Sequence, residues 1–280
     1  MIKQQSRCSK NMSTSSNRVH HVDQLFEGDL INEKYSNCLI IRGVAKGKKF
    51  KGIDFKYTIF ETCYFRKCSF EDCDFTGCRF NTSNLYGSIF QNCKFDYVVF
   101  ERTQITPEIL DTNCPGLENL KLKFARSLRT NFQSLGDSEA VNKAMAIELD
   151  ATEAHLFKAW NAPESYYRHK YRGWGRVKVF FQWLSFKILD LLWGNGESSL
   201  KLLRAVLAML MMMALIHVIF WGDPSQVRDY WLAVWIMPQV LLGVLKPLHY
   251  PDFYLTIIMT LRLLAFGFFL SILIKRFNRR

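Results

Sequence analysis

The cysteines are the residues whose type and spacing first point to chemistry. Four of them follow one another at intervals of five residues, at Cys63, Cys68, Cys73 and Cys78. Thiolates bind zinc well, so a regular run of thiols could hold a metal ion. Cysteine is also a small apolar residue that packs inside protein cores. The choice between these two interpretations depends on the element that carries the four side chains.

Two histidines near carboxylates are the other residues that could act in catalysis. His155 follows Glu153, and His169 follows Glu164. Nothing else supports a reaction, because the sequence has no phosphate-binding loop, nucleophile elbow, metal-ligand motif or dinucleotide fingerprint. We therefore expect a solvated helix face at these positions, and no enzyme activity and no cofactor.

Arg262 is the charged residue that stands out in the C-terminal half. It is the one charge within the 22 residues from 253 to 274. A charge inside a membrane costs about 2.5–3.5 kcal/mol on insertion scales, so such a residue faces a cavity, a partner helix or, by extending, the interface. A functional role and simple extension to the interface both remain open. We interpret His217, near the end of the preceding apolar stretch, as an interfacial residue.

The basic residues are concentrated beside apolar stretches. The chain of 280 residues has 37 Lys and Arg against 25 Asp and Glu, a net charge of +12. Residues 165–204 contain eight basic and two acidic residues, and four more basic residues lie in 275–280. This distribution is typical of membrane topology signals, and it disfavours nucleic acid as the partner.

The element that positions the cysteines is a repeat of five residues. Large apolar residues recur at every fifth position, a period that fits neither a helix nor a single strand. The predicted core residues are Phe50, Phe55, Phe60, Phe65, Phe70, Phe75, Phe80, Leu85, Phe90, Phe95, Phe100 and Ile105. A small or β-branched residue, often Cys, Ser or Thr, comes two positions before each of these centres from 55 onward.

Residues 38–106 resemble the pentapeptide-repeat family, whose members form a right-handed quadrilateral β-helix with four pentapeptides per coil. The resemblance implies about three coils, with Phe55 below Phe75 and Phe95 and a poorly formed first coil near Lys48. Successive cysteines then lie on different faces, which disfavours a metal site. Cys73 would stack below Cys93 at a distance that a disulfide could span, but a reducing compartment argues against one.

The surface charge of the repeat disfavours one function known in that family. Some members imitate DNA with a strongly acidic face, whereas residues 46–102 carry ten basic and seven acidic side chains. The sequence instead favours a scaffold or interaction surface for a protein partner that it does not identify.

The remaining segments before the apolar stretches are predicted to be an arm and helices. Residues 1–37 lack the apolar core of a signal peptide, so we expect a mobile arm that stays in the cytoplasm. Residues 107–172 form a helical linker with helices over 117–134 and 138–160. Residues 173–199 alternate aromatic and basic residues, as expected of an amphipathic helix at a membrane interface.

Residues 200–280 are predicted to form a transmembrane hairpin. Residues 205–222 and 253–274 are apolar enough and long enough to cross a bilayer. The excess of Lys and Arg outside them places both termini in the cytoplasm, in an inner (cytoplasmic) membrane. The connection at 230–247 is also apolar, is interrupted by Pro238 and Gly243, and is too short to span. We expect it to re-enter the membrane or to lie along the interface.

Residues 185–277 resemble two-helix pore-loop channels, a module that looks fused to the pentapeptide solenoid in a group of bacterial proteins. The resemblance rests on Leu-Asp-Leu-Leu-Trp-Gly at 189–194, Arg-Leu-Leu-Ala-Phe-Gly at 262–267 and Lys-Arg-Phe at 275–277. The chain has Leu-Leu-Gly-Val-Leu-Lys-Pro at 241–247 where a potassium filter would have TVGYG, so potassium selectivity is not implied. The candidate membrane-functional residues are Arg262, Gly243, Lys246 and Pro238.

The sequence as a whole predicts a right-handed quadrilateral β-helix followed by an α-helical linker and two transmembrane helices. Its leading functional interpretation is a homo-oligomeric, channel-like or pore-forming protein of the lipid bilayer. In one variant it is a triggered, membrane-permeabilising effector that defends against phage. The alternative is a membrane-anchored scaffold without transport activity.

Overall fold

The computed structural model describes residues 18–196 and 198–277. It divides into two compact units, Met1–Thr152 and Glu153–Arg280, which are described in turn.

The first unit begins with eleven short strands that form the sides of a solenoid. The strands are β1 (Val19–Val22), β2 (Leu30–Ile31), β3 (Cys38–Ile41), β4 (Val44–Lys46), β5 (Lys49–Lys51), β6 (Ile59–Glu61), β7 (Tyr64–Arg66), β8 (Ser69–Glu71), β9 (Arg79–Asn81), β10 (Ile89–Gln91) and β11 (Val99–Glu101). They stack in parallel sheets with the orders β1-β3-β6-β9-β11, β10-β8-β5-β2 and β4-β7. Partners such as Phe60 and Phe80 are twenty residues apart, which is the four pentapeptides per coil implied by the resemblance.

The corners of the solenoid explain how a five-residue period directs every centre into one core. Every fifth residue from Asn37 to Arg102 has a left-handed backbone, with φ between 48° and 73°. Only four of these fourteen positions are glycine, so the others adopt a conformation that costs an L-residue about 1–2 kcal/mol. The turn after each centre carries the next centre to the adjacent side of the axis.

The centres stack as columns of phenylalanine rings. The ring centroid of Phe75 lies 5.1 Å from those of both Phe55 and Phe95, and the centroids of Phe80 and Phe60 are 4.6 Å apart. The stacked rings are nearly parallel. All ten predicted core residues from Phe55 to Phe100 are buried. The fold class predicted from the sequence is therefore confirmed.

The small residues of the repeat satisfy the backbone inside this core. The Ser83 hydroxyl donates to the Phe60 carbonyl at 3.4 Å and accepts from the Cys63 N–H at 3.0 Å. The thiols of Cys63 and Cys68 donate in the same way to the carbonyls twenty-three residues before them. The four consecutive cysteines are thus core residues of successive sides.

The solenoid starts earlier than the sequence predicted. β1 pairs with β3, so residues from Val19 onward form a further coil instead of a mobile arm up to residue 37. The coil was missed because one of its sides is a residue short: β1 is offset by nineteen residues from β3, whereas β2 is offset by twenty from β5. Phe26 is consequently buried while Leu25 is exposed. Residues 1–17 of the predicted arm lie outside the described residues.

Lys48 does not disrupt this coil, in contrast to the sequence prediction of a poorly formed first coil. Its side chain extends outward and its ammonium donates to the Glu27 carbonyl. With five strands stacked in the longest sheet, the solenoid has about four turns, not three.

Helices close the C-terminal end of the solenoid. They are α1 (Ile109–Thr112), α2 (Glu118–Leu135) and α3 (Ser138–Asn161). The Asn131 side chain accepts from the Thr103 N–H and donates to the Thr103 carbonyl, both at 2.7 Å, so it replaces the next coil. Arg126 and Arg129 of α2 both pair with Glu148 of α3, at 2.9 and 2.7 Å.

The second unit is helical and contains the end of α3. Its further helices are α4 (Ser165–Lys170), α5 (Trp174–Trp193), α6 (Ser199–Trp221), α7 (Val227–Leu242) and α8 (Asp252–Phe277), with one 3-10 turn at Gly194–Gly196. Gly194 ends α5 with a positive φ of 64°, and Lys201 of α6 then pairs with Asp190 at 2.8 Å. α6 and α8 are long and apolar enough to cross a membrane, judged by length and composition.

Candidate functional site

The helices α6, α7 and α8 pack around one apolar core. Apolar side chains from the three helices and from the segment before α8 meet there. The buried members are Met213, Ala214, Val218, Ala233, Met237, Val240, Leu241, Tyr250 and Ile258. The outer faces of the same helices remain apolar and exposed, including Leu207, Met211 and Phe266.

The segment between α6 and α8 starts at the C-terminal end of α6 and returns to that same end. At its start, the Asp229 carboxylate accepts from the Asp223 N–H at 2.8 Å, directly after α6 ends. At its far end, the Tyr250 hydroxyl lies 2.6 Å from His217 Nδ1, and the Tyr250 ring lies 4.6 Å from that of Trp221. Both ends of residues 222–250 are therefore held near the last turns of α6.

His217 has a more specific place than the interfacial role that the sequence predicted. It joins the last turns of α6 to Tyr250, just before α8 begins. Trp221 and Tyr250, which the sequence analysis did not single out, complete this cluster. Their signal in the sequence was an aromatic residue at each apolar boundary, a feature of membrane interfaces in general.

The tip of the segment is the C-terminus of α7. The Val244 N–H donates to the Gln239 carbonyl at 2.9 Å and the Gly243 N–H to Val240 at 3.0 Å, which is a Schellman ending. Gly243 has a φ of 78°, and a Cβ there would overlap Nη1 of Arg262. The backbone conformation thus favours glycine at this position, and a larger residue would also displace the guanidinium.

Arg262 reaches this tip from the middle of α8. It comes ten residues after Asp252, the first residue of α8, so its Cα lies about 15 Å along the helix axis. Within the described residues, Arg262 has no hydrogen bond and no ion pair. Among the described residues, a cation without an anionic side-chain partner thus lies next to the carbonyl end of α7.

A cavity of about 430 Å³ lies between the tip of α7 and α8. It is lined by Val240, Gly243, Leu245, Lys246, Asp252, Leu255, Thr256, Ile258, Met259 and Arg262. Three of the four candidate residues, Gly243, Lys246 and Arg262, therefore meet at one site. Pro238 is inside α7 and does not line the cavity.

The residues considered for metal binding or catalysis form no comparable site. Within residues 18–196 and 198–277, no cluster of three or more His, Cys, Asp and Glu side chains could hold a metal ion. Glu153 forms an ion pair with Lys187, and His155 lies 3.3 Å from the Tyr167 hydroxyl. A hydrogen bond between Cys73 and Cys93 lowers the pKa of Cys73 and raises that of Cys93.

The outer surface of the solenoid is suited to contact with a protein. Cations face anions across neighbouring coils, as in the pairs Lys51–Glu71 at 3.2 Å and Lys56–Asp74 at 3.3 Å. The solenoid also exposes aromatic side chains, at Tyr57, Tyr64, Tyr86 and Tyr97. Tyrosine is enriched at the centres of protein interfaces.

Comparison with known proteins identifies the solenoid. Two models of the pentapeptide-repeat family match, one over residues 47–89 and the other over residues 73–106. Neither match extends into the second unit, and no curated protein matches the chain. Residues 47–106 of the solenoid are thus similar to pentapeptide repeats, and an apolar helical module follows them.

Proposed function

We propose that this chain is a pore-forming membrane protein in which several copies of the module formed by α6, α7 and α8 surround a path through the bilayer. The observation that supports it best is the course of residues 222–250. Both ends of this segment are held at one end of α6, while its tip lies beside Arg262 in the middle of α8. That is the course of a re-entrant loop, which is tolerated at membrane depth only inside protein or beside a water-filled space.

The exposure of the two long helices supports a membrane environment. In their most apolar windows only 22% of α6 and 11% of α8 is buried within the chain. The core helix of a soluble protein would be mostly buried, because exposed apolar patches of this size promote association. Lipid and further copies of the chain are the surfaces that would cover these helices.

A pore requires more than one copy. The three helices of one chain meet in a single apolar core of packed side chains and do not enclose a path by themselves. A water-filled path must therefore lie between copies, and the cavity at Arg262 is the part of each copy that would open towards it. We propose a homo-oligomer for this reason.

The orientation follows from the basic residues. Lys201 and Arg204 precede the apolar part of α6, and residues 275–280 add four more cations, whereas only Arg228 and Lys246 lie between the two spans. This asymmetry supports an orientation in which both termini, and with them the solenoid, lie in the cytoplasm. The solenoid would bind a protein partner there, and that binding would open or close the pore.

A membrane-anchored scaffold is the second candidate. The observation in its favour is residues 241–247, which carry no filter sequence and end in Lys-Pro. In that case the apolar module would only hold the solenoid at the membrane, and Gly243 and Arg262 would stabilise its fold.

Ion flux through liposomes containing the purified chain distinguishes the two candidates. The informative variant is Gly243→Ala, which strains the tip of α7 and displaces the guanidinium of Arg262. Gly267→Ala on α8 is the matched control, since a Cβ at Gly267 meets nothing within 4 Å. We expect flux from the wild type and from Gly267→Ala, and several-fold less from Gly243→Ala. Flux that is absent from all three proteins would contradict a pore and favour the scaffold.

A further inference from the structure

The cavity at the tip of α7 carries an uneven set of charges. Its ionisable side chains are Arg262 and Lys246, which are cations, and Asp252, which is an anion. None of the three has an ion pair with another side chain within the described residues. The two cations are therefore not neutralised by the single carboxylate.

Helix ends do not reverse this balance. Asp252 lies at the N-terminus of α8, and Arg262 lies against the C-terminus of α7. Each helix end carries about half an elementary charge, positive at an N-terminus and negative at a C-terminus, so the two contributions cancel. A surplus of about one positive charge per copy remains at the cavity.

The position of Arg262 removes the feature that would attract a cation. The carbonyl groups at the C-terminus of a helix that points into a membrane favour a positive charge next to them. Here that place is taken by a guanidinium, which stays protonated at any accessible pH. The absence of a side chain at Gly243 is what allows Nη1 to come so close. A permeating cation would therefore meet a fixed cation at the tip of α7.

From this arrangement we infer that the path formed by the assembled chains prefers small inorganic anions, such as chloride, over potassium, and that Arg262 and Lys246 set the preference. This inference rests on the proposed pore function. Several copies would bring their Arg262 and Lys246 side chains together around the path, and rings of Arg and Lys select anions in pores. The low dielectric constant around the site strengthens the effect of each charge.

The test is the reversal potential of the full-length protein in planar bilayers under a gradient of KCl. For the wild type we expect the sign of an anion-preferring path. Arg262→Lys keeps the charge and should keep that sign, Arg262→Gln should lower the chloride-to-potassium permeability ratio several-fold, and Arg262→Glu should reverse the sign. Arg228→Gln is the matched control, because Arg228 is exposed and does not line the cavity.

The two proposals fail in different ways in this experiment. A wild-type current that prefers potassium would overturn the anion preference, and a permeability ratio that no Arg262 variant changes would overturn the role of Arg262 in setting it. Both results would leave the pore in place. No current from the wild type would overturn both. The permeability ratio does not depend on how many channels are active, so a variant that only folds less efficiently would lose current without changing the ratio.

Discussion

The two halves of this molecule contain similar apolar residues, but one half buries them within the chain and the other leaves many of them exposed. In the solenoid, the phenylalanines at the centres lie within columns of their own kind and are no more than 6% exposed. In the helical module, large apolar residues such as Phe220 and Leu203 remain more than half exposed. The comparison shows that spacing, and not apolar content, decides which half buries its large apolar residues within the chain and which leaves them exposed.

The two halves also differ in where their backbone hydrogen bonds come from. A side of the solenoid obtains its hydrogen bonds from the coils before and after it, as in the Ser83 bonds to Phe60 and Cys63. A helix satisfies its backbone within one segment, so it can lie in lipid without a partner strand. The backbone hydrogen bonds of the solenoid therefore depend on contacts between coils, whereas those of a helix form within its own segment.

Two reporters can follow the halves separately. All eight cysteines lie at or before Cys114, and all seven tryptophans lie at or after Trp160. Thiol reactivity thus reports on the solenoid, while tryptophan fluorescence reports on the helical module. Five of the thiols are buried in the folded chain and would react quickly only on unfolding.

Removal of a central ring should have the largest effect. Phe75 is stacked between Phe55 and Phe95, so Phe75→Ala leaves a cavity and should lower the free energy of unfolding by about 3–5 kcal/mol. In urea, the thiol transition of the full-length protein in detergent should move to lower denaturant while the tryptophan transition stays. Tyr86→Ala, at an exposed position, should cost less than about 1 kcal/mol. A shift of both transitions would mean that the halves do not unfold separately.

The same substitution at exposed apolar positions of the two halves should have different results. Met211 on α6 is 53% exposed and Ile89 on the solenoid is 59% exposed. An arginine in the middle of a span costs about 2.5–3.5 kcal/mol on insertion scales. We expect Met211→Arg to reduce the fraction of protein that remains in membranes after an alkaline carbonate wash, and Ile89→Arg to leave it unchanged. Equal behaviour of the two variants would argue against a membrane-spanning α6.

Loss of the contact that closes the solenoid should have an intermediate effect. Asn131→Ala leaves the buried N–H and C=O of Thr103 without partners, which costs about 1–3 kcal/mol. The thiol transition in urea should move accordingly. Gln133→Ala, on the exposed side of α2, is the control and should be neutral. If both variants behave alike, α2 does not replace a coil.

Alkaline pH should have the smallest effect. Burial raises the pKa of Cys63 from 9.0 to about 11, so the contribution of its neutral thiol is complete below pH 9 and is lost as the pH rises towards 11. The loss at pH 10 is about 1 kcal/mol. Cys63→Ser carries no such group, and Ser83 shows that a hydroxyl fits the equivalent position. The drop in Tm between pH 7 and pH 10 should be smaller in this variant; an equal drop would mean that Cys63 ionises freely.

The repeat could be predicted from the sequence because each of its steps is local. Five-residue spacing alone indicated which residues are buried, and the resemblance supplied the number of sides. The extent of the solenoid could not be predicted so well, because the side that is one residue short at Phe26 interrupts the five-residue spacing without changing the fold. Asn113 still follows the five-residue spacing. It comes twenty residues after Cys93, and its side chain donates the equivalent hydrogen bond to the Phe90 carbonyl.

The candidate site was less accessible to prediction. Arg262 stood out as a charge within an apolar stretch, and Gly243 as an interruption in another. Their contact depends on how α7 packs against α8, which no local pattern encodes. Pro238 was an equally reasonable candidate by sequence, and only the packing separates it from the cavity.

The stacking of identical coils also gives the solenoid a unit of length. One coil adds twenty residues and about 4.8 Å along the axis, and each side pairs with the same side of the coil before it. Gain or loss of a whole coil would therefore change the distance between its two ends in fixed steps while preserving the chemistry of each face. Evolution could therefore change the length of the solenoid by whole coils, independently of what its surface binds.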